Sequence, residues 1–567
     1  MRWAGMCLVA VMVTASLATP AGAKDQRESK ISAALLTLAR SNPTADLPII
    51  VRAAVKQDNT RHAARAAAAV QRAHGHVGRG LSIVGGASAI VSGSQILALA
   101  GDPDVAYISP DQVVMATFDP SDGAALASSP GIVEVGAPQV WRDLGVTGKG
   151  VGVAILDSGI APHPDLAGRI VAAVDFTSGG SGAALVAPAD PGGHGTHVAG
   201  LVAGDGTASG GMYAGVAPGA NLIDVRVIGA SGATNISTLI AGMQWVLAHR
   251  AEYNIRVVNL SAGGPATTSY RDDPLATAAE VLVFAGITVV VSAGNEGPHE
   301  RTITSPGTDP YVITVGGIDD SGTAATDDDA LASWSSRGVT PIDGLAKPDV
   351  SAPGRKVVSL RSPGSTLDQE LPDRLVAGLD PLAPAYFRLS GTSMAAPVVT
   401  GVVALMLERT PALTPAQVKG RLKATATALA YGSAVTTGSG MVNAPAAVAA
   451  VGDTADATAI APVSAGFMSQ MYSLIAGQPL AWRDLTYHGG VDSNGTPWSQ
   501  VTWSNAVWDS VMWQNIDWWS FNWSAVTWQD ISWEDISWEG ITWEDISWEV
   551  VPLKDKGRKA RGGKVLD

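Results

Sequence analysis

The chain has 567 residues, of which 46% are hydrophobic and 16% charged, and a formal net charge of −14. That length exceeds one ordinary domain and buries ample apolar surface, while the negative balance excludes a general nucleic-acid binder and fits ordinary solubility. The single cysteine, Cys7, lies near the start, so beyond it there is no disulfide, no cysteine nucleophile and no zinc–thiolate site.

Arg2, the apolar stretch Ala4 to Leu17 and the small-residue pattern Ala21-Gly22-Ala23 read as a secretory signal over 1–23, too short to span a bilayer. Lys24 would begin the exported chain, and the protein is expected to be secreted, either extracellular or held at a cell surface. Residues 24–117 carry a strand at Leu47–Ala53, a helix over Thr60–His74, strand-like pieces around Leu81–Val91, a helix at Gln95–Leu99 and a strand at Val105–Val114. Two strand–helix–strand units of this size predict a small α+β domain. Residues 118–133 are rich in Ser, Ala, Gly and Pro and read as a linker.

Residues 134–451 alternate short β-branched strands with helix-length segments. The strands are expected at Gly152–Asp157, Leu222–Val227, Val257–Ser261, Thr288–Ala293 and Val312–Gly316. The helices are expected at His194–Val202, Ile236–His249, Pro274–Phe284, Ser393–Arg409 and Pro415–Ala424. This alternation predicts an α/β domain with a mostly parallel central sheet covered on both faces. In such a sheet the working residues sit beyond the carboxyl ends of the strands. Residues 452–497 read as a second linker, 498–552 as a repeat and 553–567 as a basic tail.

Three segments of the large domain carry chemistry: Val153-Ala154-Ile155-Leu156-Asp157-Ser158-Gly159, Gly193-His194-Gly195-Thr196-His197-Val198-Ala199-Gly200 and Gly391-Thr392-Ser393-Met394-Ala395-Ala396-Pro397. A serine hydroxyl is a weak nucleophile until a base takes its proton, and the base in turn needs a group to fix its tautomer. Ser393 precedes a helix, where free N–H groups and the dipole favour negative charge. The residue types alone leave His197, three positions on, as an alternative base. No G-x-S-x-G elbow of the esterase type surrounds Ser393. A carrier domain serving a surface-binding protein is the competing non-enzymatic reading.

In the order Asp, His, Ser, these motifs closely resemble the subtilase family of serine peptidases over roughly residues 134–451. The resemblance implies a subtilisin-like three-layer fold and hydrolysis of peptide bonds through an acyl-enzyme. It assigns Asp157, His194 and Ser393 as the triad. Val291-Ser292-Ala293-Gly294-Asn295-Glu296-Gly297 is similar to the family's oxyanion segment, with Asn295 as the side-chain donor. Asn259-Leu260-Ser261-Ala262-Gly263-Gly264-Pro265 resembles its substrate-binding strand, which pairs with an extended peptide. Ser261, Ala262, Gly263, Gly264 and Thr304 are thus candidate substrate contacts. The pocket floor is expected near Ala293, Thr304 and Ser305, without an acidic residue, and so suited to apolar or medium side chains. The long stretch Ser362 to Ala385 is expected to be a surface loop able to reshape the cleft.

The resemblance requires no cofactor. Calcium is common in the family, and Asp165 matches a position that can donate a ligand. However, the Gly-rich loop Asp205 to Tyr213 holds one carboxylate, and calcium needs six to eight oxygens. The region 24–117, ending Asp104-Val105-Ala106-Tyr107-Ile108-Ser109-Pro110-Asp111, resembles an inhibitor-type propeptide. It would assist a slow, non-local fold and block the cleft transiently, with self-cleavage between Met115 and Pro130. The expected partners are therefore polypeptide substrates and the chain's own propeptide, with no nucleic acid.

Tryptophan recurs every five residues from 498 to 548, a period of neither strand nor helix. Eleven such rings carry roughly 2,000 Å², beyond what a soluble surface tolerates as one patch. A stacked coil, a surface anchor making cell-surface contact, and a disordered or processed segment are the three readings. The basic run from Lys554 to Lys564 could touch anionic surfaces.

Overall fold

The computed structural model describes residues 27–54, 62–119, 131–177 and 184–452. The expected signal segment, the tryptophan repeat and the basic tail lie outside the described residues, as does most of each expected linker.

Strands β1 (Asp46–Ala53), β2 (His76–Leu81), β3 (Gly86–Ser92) and β4 (Val105–Pro110) form an antiparallel sheet in the order β2-β3-β1-β4. Successive side chains on a strand face opposite ways. Accordingly, Ile49 and Val51 of β1 join the core under the helices His62–Arg72 and Gly93–Leu99, while Ile50 packs into the core of the large domain. A helix at Ala33–Ser41, capped by the Ser32 side chain, was not among the expected elements. The expected strand Val105–Val114 is broken at Asp111 and Gln112. The Asp111 carboxylate turns to accept the Ser237 N–H (2.9 Å) and hydroxyl (2.6 Å), at the start of the helix Ile236–His249. Beyond that anchor, β5 (Val113–Ala116) leaves the first sheet altogether.

The large domain contributes β6 (Gly152–Asp157), β7 (Ile170–Asp175), β8 (Asn221–Arg226), β9 (Ala233–Asn235), β10 (Ile255–Leu260), β11 (Ala262–Gly263), β12 (Thr288–Ser292), β13 (Ile313–Asp319), β14 (Ala330–Leu331) and β15 (Val350–Pro353). Its central sheet runs β14-β13-β12-β10-β6-β8-β7, with β15 also on β13. Every pair is parallel except β13 with β14. Strands buried on both faces must be apolar throughout, and β6 divides its residues accordingly. Val153 and Ile155 face the helices His194–Ala203 and Thr392–Arg409, while Ala154 and Leu156 face Ile236–His249 and Pro274–Phe284. The result is the subtilisin-like three-layer fold.

Two smaller antiparallel sheets border the carboxyl edge. One is β11-β5-β9, in which the strand leaving the first domain lies between two strands of the large one. The other joins β16 (Val357–Leu360), β17 (Leu375–Val376) and β18 (Tyr386–Leu389) in the order β16-β18-β17. The long stretch before the serine motif is ordered rather than open loop. It holds a helix at Thr366–Glu370 and strand β17, braced by Arg361 on Asp368 at 2.6 Å. The N–H groups of Thr366 and Leu367 bond to the carbonyls of Pro191 and Gly192, against the loop before His194.

Candidate active site

Asp157 ends β6 and His194 opens the helix His194–Ala203. The two meet: His194 Nδ1 is 2.8 Å from Asp157 Oδ1 and 3.0 Å from Oδ2, and both side chains are buried. Burial opposes charge on the imidazole, but the Asp157 carboxylate outweighs it, with Asp190 adding to the effect, and the His194 pKa is raised. His197 plays another part. Its Nε2 bonds to the carbonyls of Val357 and Phe387 (3.1 and 3.0 Å), and burial pushes its pKa down to about 3. No carboxylate orients it, so the geometry favours the first histidine as base.

Asp190, which the sequence reading passed over, positions this pair. Its buried carboxylate accepts from the Ser158 hydroxyl (2.8 Å), Gly193 N–H (2.7 Å), Thr196 N–H (2.8 Å) and the Thr196 hydroxyl (2.7 Å). One side chain thus ties the Asp157 strand end to the start of the His194 helix. The only signal in the sequence was an acidic residue just ahead of a helix start.

Ser393 lies in the first turn of the helix Thr392–Arg409, but its hydroxyl is not on the imidazole. It donates to the Ser261 carbonyl (2.9 Å) and shares a hydrogen bond with Thr117 Oγ1 (2.5 Å). In return the Ser261 hydroxyl donates to the Ser393 carbonyl at 3.0 Å. His194 Nε2 is buried with no hydrogen-bond partner. The expected row of three is therefore formed at its Asp–His link and open at its His–Ser link. Asn295 shows a matching vacancy of function. Its Oδ1 accepts from the Thr392 N–H (3.0 Å) and hydroxyl (2.9 Å), while Nδ2 is buried and unpartnered. Unpaired buried donors are costly, and here the amide is oriented by its own oxygen with its NH2 left over.

The predicted substrate strand is occupied. Ala262 and Gly263 of β11 pair with Ala116 and Met115 of β5. Gly264 bridges Ser305 through two main-chain bonds. A Cβ on Gly263 or on Gly294 would stand 2.5 or 2.7 Å from the Thr304 side chain, so Thr304 lines the space that these glycines open. The pocket region is not free of acid: the Ser305 hydroxyl donates to buried Asp273 at 2.5 Å. Asp273 caps the helix Pro274–Phe284 from a loop distant in sequence, which is why local reading missed it.

The calcium expectation at Asp165 does not fit the residues present. Asp165 Oδ1 accepts from the Ala208 N–H and Oδ2 from the Tyr386 hydroxyl, each at 2.7 Å. The Arg169 guanidinium donates to the carbonyls of Asp165 and Ala203 and lies 3.7 Å from the Asp205 carboxylate. A guanidinium therefore sits among the oxygens a cation would need. Among the described residues, no group of three or more His, Cys, Asp or Glu side chains is placed to hold a metal ion.

A parallel-cored α/β domain with an aspartate–histidine pair at strand and helix ends, beside a serine in the first turn of a buried helix, defines the subtilisin-like class. The Subtilase family profile matches residues 148–444, and the chain belongs to that family of serine peptidases. It is 45% identical to serine protease AprX of Bacillus subtilis (strain 168) over 283 residues, which cover 49% of this chain and 61% of AprX. It is 34% identical to subtilisin E of the same organism over 384 residues, covering 66% of this chain and 83% of subtilisin E. Among solved structures it is similar to fervidolysin from Fervidobacterium pennivorans, a keratinolytic enzyme related to subtilisin. That match has a TM-score of 0.53 and 27% identity, and covers 72% of this chain and 61% of fervidolysin.

Proposed function

We propose that the chain is a secreted serine endopeptidase in which Asp157, His194 and Ser393 hydrolyse peptide bonds through an acyl-enzyme, with Asn295 as oxyanion donor. One observation carries the reading: β5, laid between β9 and β11, brings Thr117 to the Ser393 hydroxyl and Phe118 to the imidazole of the 2.8 Å Asp157–His194 pair. Asp157 holds the Nδ1 proton, leaving Nε2 free to accept the proton of Ser393 once its hydroxyl turns from the Ser261 carbonyl. As the carbonyl under attack becomes tetrahedral, its oxygen gains charge, and the unpartnered Asn295 amide and helix-start N–H groups stabilise it. Ser261, Ala262, Gly263, Gly264 and Thr304 hold the substrate backbone and first side chain. The reaction needs no cofactor on this reading.

Residues 24–117 serve as an inhibitor-type propeptide, a role supported by β5 filling the groove. Arg52 of that domain also reaches Asp272 beside the pocket, at 3.3 Å to its carbonyl. The remaining division follows the sequence: a signal at 1–23, a linker at 118–133, the peptidase domain at 134–451, a linker at 452–497, a tryptophan repeat at 498–552 for which a stacked coil, a cell-surface anchor and a processed segment stay open, and a basic tail at 553–567. Casein hydrolysis with a covalent serine reagent tests the enzyme. Labelling at Ser393 together with loss of hydrolysis supports it, and hydrolysis that survives Ser393→Ala refutes it. Comparing cell attachment with and without 498–567 tests the repeat.

A further inference from the structure

This inference rests on the proposed peptidase reading of Asp157, His194 and Ser393 and concerns the half of the cleft that lies beyond the reacting bond. The chain's own segment marks where that half begins. Thr117 Oγ1 is 2.5 Å from Ser393 Oγ. The point where a Cβ on Gly391 would stand is 2.6 Å from the Thr117 carbonyl oxygen, 2.9 Å from Phe118 Cα and 3.1 Å from Asn295 Nδ2. The Phe118 ring stands 6.3 Å from the His194 imidazole and packs against the core cluster that holds Leu389 and Met394. The peptide link after Thr117 therefore crosses the catalytic groups, and Phe118 and Asp119 occupy the first and second positions beyond it.

Two contacts hold the main chain of the second position. The Asp119 N–H donates to the Ser390 carbonyl at 2.6 Å, and Arg374 Nη1 donates to the Asp119 carbonyl at 3.5 Å. Both partners are built on the small sheet β16-β18-β17. Ser390 directly follows β18, and Arg374 directly precedes β17, whose Leu375 and Val376 pair with Phe387 and Tyr386. Leu371 and Leu375, on either side of Arg374, pack against the same core cluster as Phe118, and Arg374 itself is 3% exposed. The long stretch before the serine motif thus holds a guanidinium at one fixed distance past the serine. A main-chain carbonyl offers that group a single neutral acceptor. A peptide that ends at this second position carries two charged oxygens on the same carbon, and a carboxylate is what the planar fork of a guanidinium fits best.

We infer that the site also removes dipeptides from the carboxyl ends of polypeptides, with Arg374 binding the terminal carboxylate. Ser393 Oγ adds to the carbonyl carbon of the third residue from the end, and its proton passes to His194 Nε2. The bond from that carbon to the next nitrogen breaks as the proton is delivered to the nitrogen, and the dipeptide leaves with a free amine. Water then splits the ester: its hydroxyl goes to the acyl carbon and its other proton restores the serine. Longer chains pass the same point with a carbonyl in place of the carboxylate, as Asp119 does.

The test compares the full chain as wild type, Ser393→Ala, Arg374→Gln and Arg374→Met. The substrate is the peptide of residues 113–118 extended by one alanine, made as the free acid and as the carboxyl-terminal amide, so that the terminal carboxylate is its only acid. Wild type is expected to release the terminal dipeptide from the acid with kcat/KM at least about tenfold above that for the amide. Either Arg374 variant should bring that ratio to about one, and Ser393→Ala should release nothing. Each ratio is taken within one preparation, so a variant's loss of overall activity does not disturb it, and the second substitution serves if the first misfolds. A wild-type ratio near one overturns the inference whatever the variants do. A ratio that persists in a folded Arg374 variant overturns the role of Arg374. Casein assays on the same preparations separate the levels. Ser393-dependent casein hydrolysis with no preference for the acid sinks only this inference, whereas no Ser393-dependent hydrolysis at all sinks the peptidase reading beneath it.

Discussion

Replacing Asp157 by asparagine should disable the proposed base while leaving the fold intact. Asp157 Oδ1 accepts the Ser158 N–H at 2.7 Å and lies 2.8 Å from His194 Nδ1, with Oδ2 3.0 Å from the same nitrogen. Asparagine has one acceptor oxygen. Turning it away from Ser158 would strand a buried N–H, at a cost of about 1–3 kcal/mol. The oxygen therefore stays with Ser158 and the amide NH2 faces His194. A donor at the Oδ2 place, 3.0 Å from Nδ1, competes with the remaining oxygen and draws the ring proton onto Nε2, the atom that must accept from Ser393. The expected loss is about 10⁴-fold in kcat, or about 5.4 kcal/mol at 1.36 kcal/mol per decade. The wild-type acid limb should also shift. Because Asp157 holds the His194 pKa up against burial, wild-type activity rises as pH climbs through a value above that of a free imidazole. In the variant the imidazole loses that support. Profiles of kcat and kcat/KM against pH on a chromogenic peptide, with thermal melts as a folding control, decide the matter. A folded Asp157→Asn within about tenfold of wild type, its acid limb unmoved, would refute the tautomer argument.

Asn295→Ala should lower kcat by about 10²–10³-fold with KM little changed, since Nδ2 meets an acceptor only as charge develops; steady-state kinetics check this. Asp349→Asn should cost about 3–5 kcal/mol in chemical denaturation. Its carboxylate sits 2.7 Å from Lys347 Nζ and 3.0 Å from Lys419 Nζ, all three buried, and the two ammonium groups outweigh burial to hold its pKa low. Glu134→Gln should flatten the alkaline loss of stability. Burial, then Asp329, Asp320 and Asp328, push the Glu134 pKa up to about 9. A carboxyl that keeps its proton when folded but ionises when unfolded loses stability as pH rises from the ordinary carboxylate range to about 9. Melting temperatures at pH 6 and pH 9 should differ less in the variant than in wild type.

The central layers were legible because their signals are local. Gly152–Asp157, Ile236–His249 and Pro274–Phe284 have the bounds expected of them, each an apolar run opened by a residue that punctuates backbone: Gly152, Asn235 and Pro274. The break after Pro110 was not legible. The sequence is β-branched on both sides, and only Ser237, distant in the chain, draws Asp111 out of line. The same holds for Asp190 and Asp273, whose roles are to join segments that sequence keeps apart. At Asp165 the family pattern pointed to calcium while Arg169, four positions on, supplied the positive charge instead. Distance along the chain also hid Thr117, which reads as the last residue before a linker and lies on the serine.

On the propeptide reading, withdrawal of β5 would leave β9 and β11 framing a slot one strand wide. Filling it demands a guest with free amides and carbonyls along both edges for several residues. A natively folded protein has already committed those groups to its own helices and sheets, and surrendering them costs local unfolding. On the proposed peptidase reading, discrimination between intact and damaged proteins would come from the mould itself: frayed ends, exposed loops and denatured chains would enter, and well-packed neighbours, including other copies of this chain, would stay outside.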